Sequence, residues 1–387
     1  MTDRLTVAQG EFELNRLPKR PRELLRAWDA ADEYLLDTLA VQLKLPDGST
    51  TLSTGGVRVL ILNDSFGALA VALSAFRPHA ASDSYLSQQA TRLNLAANGL
   101  PEHSVSLLSS LETLEGTFDL VLIKVPKTLA LLEDELIRLY PHLTPLTQII
   151  VAGMVKTLPS TVWKLLERLV GSTTTSLARK KARLIFATPD AGLIVPSSPY
   201  PVSYLLENTE YLISNHANVF SRDSLDIGTR FFLQYLPVRQ GACDIIDLGC
   251  GNGLVGLIAA ERSPAATLHF IDESFMAVAS ARDNFHRAFG AQRGSTFRVG
   301  DGLMGVESES ADLILCNPPF HQQNTVGDQI ALSLFKQSRR VLRKGGELWV
   351  IGNRHLDYPS YLARLFGAHS VVASNTKFII VKAVLAG

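Results

Sequence analysis

The sequence is poor in the residues that make covalent or metal staples. Its 387 residues include 3 cysteines: Cys243, Cys250 and Cys316, with no Cys-x-x-Cys pair. That count excludes a disulfide framework and a four-cysteine zinc site. Charge of one sign is also missing, since 37 Lys and Arg face 37 Asp and Glu. A generically cationic nucleic-acid coat is therefore excluded, although a local basic face is not. No apolar run approaches the roughly 18 residues of a membrane span. The stretch Met1–Arg16 carries acids and no apolar signal-peptide core, so a soluble cytoplasmic protein is expected. What the chain does hold is core material, 46% hydrophobic against 19% charged, which argues against wholesale disorder. The length suggests two or three domains.

A repeat organises the chain. Cys243–Glu261 is an apolar run, a glycine turn and an amphipathic stretch, and reads as strand, tight loop and helix. Leu268–Ser274, Ala311–Phe320, Gly346–Asn353 and Lys377–Val384 continue the strands. Strands alternating with helical patterns predict a mostly parallel sheet covered on both faces. Val57–Phe76, Ala81–Tyr85 and Phe118–Lys127 repeat that order in weaker form. Aligning Gly67 with Gly253 sets Ile61 against Asp247, and Asn63 and Ser65 against Gly249 and Gly251; Lys124 and Val125 fall opposite Asn317 and Pro318. The reading is a duplicated α/β domain, residues 1–200 and 201–387, whose first copy has lost its ligand chemistry. Between the copies lies Thr188–Tyr204, with four prolines, which reads as a linker.

Chemistry concentrates in the second copy. In Asp247-Leu-Gly-Cys-Gly-Asn-Gly253 the glycines let backbone approach a ligand, and the helix that follows points N–H groups there. Gly251–Gly256 also fits the dinucleotide pattern G-x-G-x-x-G, a weak signal alone. Asp247 suits a positive ligand and would repel a pyrophosphate. Asp272, 19 residues after Gly253, suits ribose hydroxyls; the plainer reading is a helix N-cap. Asp301 suits an adenine amino group or a simple turn. Asn317-Pro-Pro-Phe320 stops a strand abruptly. An Asn oxygen and a fixed carbonyl there can accept both hydrogens of a planar amine, and Phe320 offers a stacking face.

These motifs resemble S-adenosylmethionine-dependent methyltransferases that modify exocyclic or amide nitrogens. The strings AWDAADEYLL, LILNDSFGAL, LIKVPKTLALLE, HANVFSR, LDIGTRFF, CNPPFHQQ and NRHLDY make the whole chain, from about Ala27 on, similar to bacterial ribosomal RNA guanine-N2 methyltransferases with tandem domains, the large-subunit (23S) kind more than the small-subunit (16S) kind. The resemblance implies two Rossmann-like class I methyltransferase domains with seven-stranded sheets. The first would be a degenerate copy that helps bind RNA, the second catalytic. It further implies that Asp247, Gly249 and Gly251 meet the methionine end of the cofactor, Asp272 its ribose and Asp301 its adenine. Asn317, Pro318 and Phe320 would meet the target base, Phe220 and Ser221 would help close the cofactor pocket, and His321 is a weaker substrate candidate.

RNA needs cations. Between Lys156 and Arg183, seven (Lys156, Lys164, Arg168, Arg179, Lys180, Lys181 and Arg183) stand against Glu167 alone, a local charge of 7 − 1 = +6, either a phosphate-binding patch or a solvated face. The partner expected is 23S ribosomal RNA, with no metal and no membrane, and the chain is expected to act as a monomer. Rival readings are a 16S enzyme, a protein glutamine-N5 methyltransferase, a nicotinamide dehydrogenase and a non-catalytic RNA-binding module.

Overall fold

The apolar runs become strands buried on both faces because helices cover each side of the sheets they build. The computed structural model describes residues 4–18, 24–42, 56–318 and 325–386. The chain divides into two units, Met1–Pro199 and Tyr200–Gly387.

The first unit begins with a hairpin, β1 (Arg4–Val7) and β2 (Gly10–Glu13), and helix α1 (Ala30–Gln42). Next come β3 (Val59–Leu62), α2 (Ala68–Ala72), β4 (His79–Ser82), α3 (Tyr85–Ala97), β5 (Ser106–Ser109), β6 (Leu120–Lys124) and α4 (Leu129–Leu139). Strand β7 (Gln148–Met154), helix α5 (Thr161–Leu169) and strands β8 (Thr173–Thr175) and β9 (Ala182–Ala187) complete it. The sheet runs β5-β4-β3-β6-β7-β9-β8, with β9 antiparallel to both neighbours.

The second unit repeats the plan. A hairpin, β10 (Val202–Leu205) and β11 (Leu212–Asn215), precedes α6 (Ile227–Tyr235), β12 (Asp244–Leu248), α7 (Leu254–Arg262), β13 (Thr267–Asp272) and α8 (Phe275–Phe289). Then come β14 (Ser295–Val299), β15 (Ala311–Cys316), α9 (Thr325–Val341), β16 (Leu342–Asn353), α10 (Tyr358–Phe366), β17 (Gly367–Ser374) and β18 (Phe378–Leu385). Its order, β14-β13-β12-β15-β16-β18-β17, matches the first sheet strand for strand. Strand β17 has no counterpart in the sequence reading; it is mostly exposed, so no buried apolar run announced it.

Details of packing support duplication more strongly than sheet order alone. On α8, Asn284 donates to the carbonyls of Ser214 and Asn252 and accepts from Ser214 N–H, pinning the hairpin to the glycine loop. On α3, Asn94 does the same with Asn15 and the Phe66 carbonyl. Both helices are capped by a serine, Ser84 and Ser274, each accepting an N–H three residues on. Gly67 and Gly253 share a left-handed φ of +79° and +78°. A Cβ on either would come 2.8 Å from the backbone of the next helix, at Thr91 or Ala281. Both positions therefore demand glycine for conformation and for contact.

Candidate active site

Strand register brings the sequence candidates together. Leu248 on β12 pairs with Ile271 on β13 and with Cys316 on β15, all parallel. The residues that follow, Gly249, Asp272 and Asn317, therefore emerge side by side at the carboxyl ends of the three central strands. That is where doubly wound sheets bind ligands. Asp272 accepts from Gly251 N–H at 2.9 Å and from Ser274 N–H at 3.0 Å. It is not the helix cap, which is Ser274. Among the described residues, Gly251, at φ +53°, has nothing within 4 Å of where a Cβ would sit, and Gly249 has only the Asn317 carbonyl, at 3.6 Å. The described residues thus leave the surroundings of these glycines uncrowded, with the Asp272 carboxylate beside them.

Asp247 is only 2% exposed, and its Oδ2 accepts from Gly256 N–H of α7 at 2.7 Å. Burial and the neighbouring Asp272 charge push its carboxyl up to about 8, against the pull of that hydrogen bond. The side chain therefore braces strand against helix beneath the loop, a deeper position than the sequence suggested. Asp301 lies in a turn just past β14, and burial alone raises its carboxyl above the usual range.

Asn317 is half-buried at the end of β15, and its Nδ2 donates to Thr229 Oγ1 at 3.1 Å. Thr229 in turn is tied to Asp226, the N-cap of α6. Sequence reasoning missed both residues as site components. Pro318 is buried, while Phe320 and His321 lie outside the described residues. Phe220 is 55% exposed and Ser221 holds a φ of +54°. The segment containing them is anchored at Asn215, which donates to the Arg222 carbonyl at 3.0 Å and accepts from Asn252 Nδ2 in the glycine loop at 2.9 Å.

At the equivalent strand ends of the first unit, side chains pair with one another. There Asn63, Ser82 and Lys124 follow the paired residues Leu62, Ala81 and Ile123. Asn63 keeps a left-handed φ of +64° without being glycine. Its Nδ2 bridges the Lys124 carbonyl and Glu135 Oε2. Lys124 Nζ is paired with Asp29 at 2.9 Å and Asp32 at 2.6 Å, and Asp64 accepts three N–H groups from the start of α2. Burial pushes the Glu135 carboxyl up to about 8, with Asp83 and Asp134 adding to the shift against the Asn63 hydrogen bond. Between its ordinary value of 4.5 and about 8, the folded protein holds a proton that the unfolded chain has released. Stability should therefore fall as pH rises through that window. Glu135→Gln should lose this slope and gain on the wild type at the alkaline end. Equal pH dependence of the two urea midpoints would contradict this.

The basic cluster is less naked than its sequence count. Arg179 pairs with Asp37 at 2.8 Å and Lys180 with Glu33 at 2.7 Å, both acids from α1, and Arg168 pairs with Glu133 of α4. A count along one segment cannot see carboxylates delivered by other helices. Lys156, Lys164 and Lys181 are exposed and have no ion pair among the described residues, while Arg183 is half-buried. Among the described residues no His, Cys, Asp and Glu group could hold a metal, and no helix is long and apolar enough to cross a membrane.

A glycine turn after the first strand, an acid after the second and Asn-Pro after the fourth, on this sheet order, define a class I S-adenosylmethionine-dependent methyltransferase. Residues 2–191 match the RLMG N-terminal domain and 210–382 the methyltransferase small domain. The chain belongs to the ribosomal RNA large subunit methyltransferase G family. It is 51% identical over 378 residues to the Pseudomonas aeruginosa (strain PAO1) protein of that name, covering 97% of each. It is 47% identical over 387 residues to the Streptomyces griseus one, covering 99% of each. The T. thermophilus 16S rRNA N2 G1207 methyltransferase, solved with AdoMet and guanosine, shares the fold: TM-score 0.75 at 20% identity, covering 99% of this chain and 97% of that one.

Proposed function

We propose that the Tyr200–Gly387 unit methylates the exocyclic N2 of a guanine in 23S ribosomal RNA, in the cytoplasm and as a monomer. The observation that carries this is Asn317, held beside the glycine turn by its Nδ2 so that its oxygen is left to accept from an amine. When bound, S-adenosylmethionine supplies an electrophilic methyl group. Gly249 and Gly251 would admit its methionine end over the brace formed by Asp247, Asp272 would take the ribose, Asp301 the adenine, and Phe220 would cover the pocket.

A guanine amine is conjugated with its ring and weakly nucleophilic, so this chain contributes orientation and electrostatics rather than a strong base. Asn317 Oδ1 accepts one N–H, the carbonyl of the rigid Pro318 corner accepts the other, and Phe320 stacks on the base. The proton that the amine loses goes to water. A paired guanine cannot present its amine, so the base must be single-stranded or extruded, at a cost of a few kcal/mol.

The first unit serves RNA. Lys156, Lys164 and Lys181 are the exposed cations of its basic segment without an ion pair among the described residues, with Arg179, Lys180 and Arg183 as their neighbours. Reversing Lys156 and Lys181 to Glu should weaken RNA binding and flatten the plot of log affinity against log salt by about 0.7–0.9 for each phosphate no longer neutralised; an unaltered slope would remove the patch. The reading as a whole is tested by supplying methyl-labelled cofactor with 23S transcript, 16S transcript or a release factor. Label should enter N2-methylguanosine of the 23S transcript alone. Label in 16S RNA or in glutamine would replace this reading with another.

A further inference from the structure

The amide of Asn317 can do its proposed work in only one of two orientations. Its oxygen and nitrogen are nearly the same size, so packing alone does not choose between them. If the NH2 faced the substrate amine, two donors would meet and nothing would be gained.

The choice is made 88 residues earlier in the chain. Asp226 Oδ2 accepts both the N–H of Thr229, at 2.8 Å, and its hydroxyl, at 3.3 Å. The Thr229 hydroxyl has a single hydrogen, and it is directed to Asp226 Oδ2. The Thr229 oxygen can then only accept from Asn317, and Asn317 Nδ2 donates to it at 3.1 Å. That order of donors forces Oδ1 to the opposite side. Gly228 makes the arrangement possible: a Cβ there would lie 3.0 Å from Asp226 Oδ2 and 3.2 Å from the Phe378 ring. An N-cap accounts for the bond from Asp226 to the Thr229 N–H. It does not account for a side-chain chain that ends on the residue after β15.

We infer that Thr229, oriented by Asp226, is a positioning residue that sets the Asn317 amide with its oxygen toward the substrate amine. The inference rests on the proposed amine methylation for its purpose, and on geometry alone for its existence. Thr229→Val keeps shape and removes the hydroxyl. It should lower kcat about tenfold (~1.4 kcal/mol), with the calorimetric affinity for S-adenosylmethionine and the Tm unchanged. Thr229→Ser should recover most of the loss.

A second readout needs no activity. In asparagine-labelled protein, the side-chain NH2 protons of Asn317 should exchange with water faster in Thr229→Val than in the wild type. Full kcat with unchanged exchange in Thr229→Val would overturn the inference. If the wild type fails to methylate ribosomal RNA while Thr229→Val still speeds exchange, the proposed function fails and the positioning role stands.

Discussion

Asn317→Ala is expected to lower kcat by about 10²–10³-fold, the scale seen when one preorganised hydrogen-bonding group is removed from a reacting centre. The loss should fall on turnover, because the Asn317 side chain is directed to Thr229 on α6 and makes no hydrogen bond to the neighbouring glycine turn among the described residues. Affinity for S-adenosylmethionine should stay close to that of the wild type. Thr229 would lose its donor but keep its bond to Asp226, so folding should survive as well. Single-turnover methylation alongside calorimetry separates the two quantities. Near-normal methylation by the variant would remove Asn317 from the chemistry.

Asp272→Ala should act on the other substrate. Its carboxylate is the proposed acceptor for ribose hydroxyls, and it also holds the Gly251 N–H at 2.9 Å. The variant therefore forfeits a ligand interaction and leaves the Gly251 and Ser274 amides without this acceptor, together about 1–3 kcal/mol, or about 10–100-fold in affinity. Helix α8 keeps its own cap, since Ser274 accepts from Ala277 N–H independently. The fold should then outlast the loss of binding, and saturating cofactor should restore much of kcat. A calorimetric titration showing wild-type affinity would refute the assignment. Raised KM for RNA in place of the cofactor would refute it equally.

Much of this site was legible in sequence because its elements announce themselves locally. Three glycines after an apolar run can serve little else than a tight approach, and two prolines after another must end a strand at a fixed place. The acid 19 residues after Gly253 gains its meaning from strand register: Leu248 pairs with Ile271, so Asp272 must stand next to Gly249. The divergence of the first copy at these positions could also be read, because Asn63 and Lys124 stand where the second copy has Gly249 and Asn317.

What escaped were the side-chain contacts between residues far apart in the chain. Thr229 and Asp226 look like an ordinary helix start until β15 delivers Asn317 to them. The acids that neutralise Arg179 and Lys180 come from α1, more than 140 residues away. Asp29 and Asp32 were unremarkable polar residues before Lys124 turned toward them. The place of Asp247 at the loop's entrance is visible in sequence, whereas its burial against α7 is not. Ser274 displaced Asp272 as the cap for a subtler reason: both residues suit the role, and only backbone geometry decides which carboxylate or hydroxyl faces the helix.

The central claim is that the second unit modifies a guanine amine in large-subunit ribosomal RNA. The most direct test compares modified guanosines, position by position, in ribosomal RNA from cells that carry and cells that lack this gene, with the Asn317→Ala protein returned to the latter. One N2-methylguanosine in 23S RNA should vanish with the gene, and the variant should not restore it. An intact 23S pattern with the loss in 16S RNA, or no change in either RNA, would contradict the account.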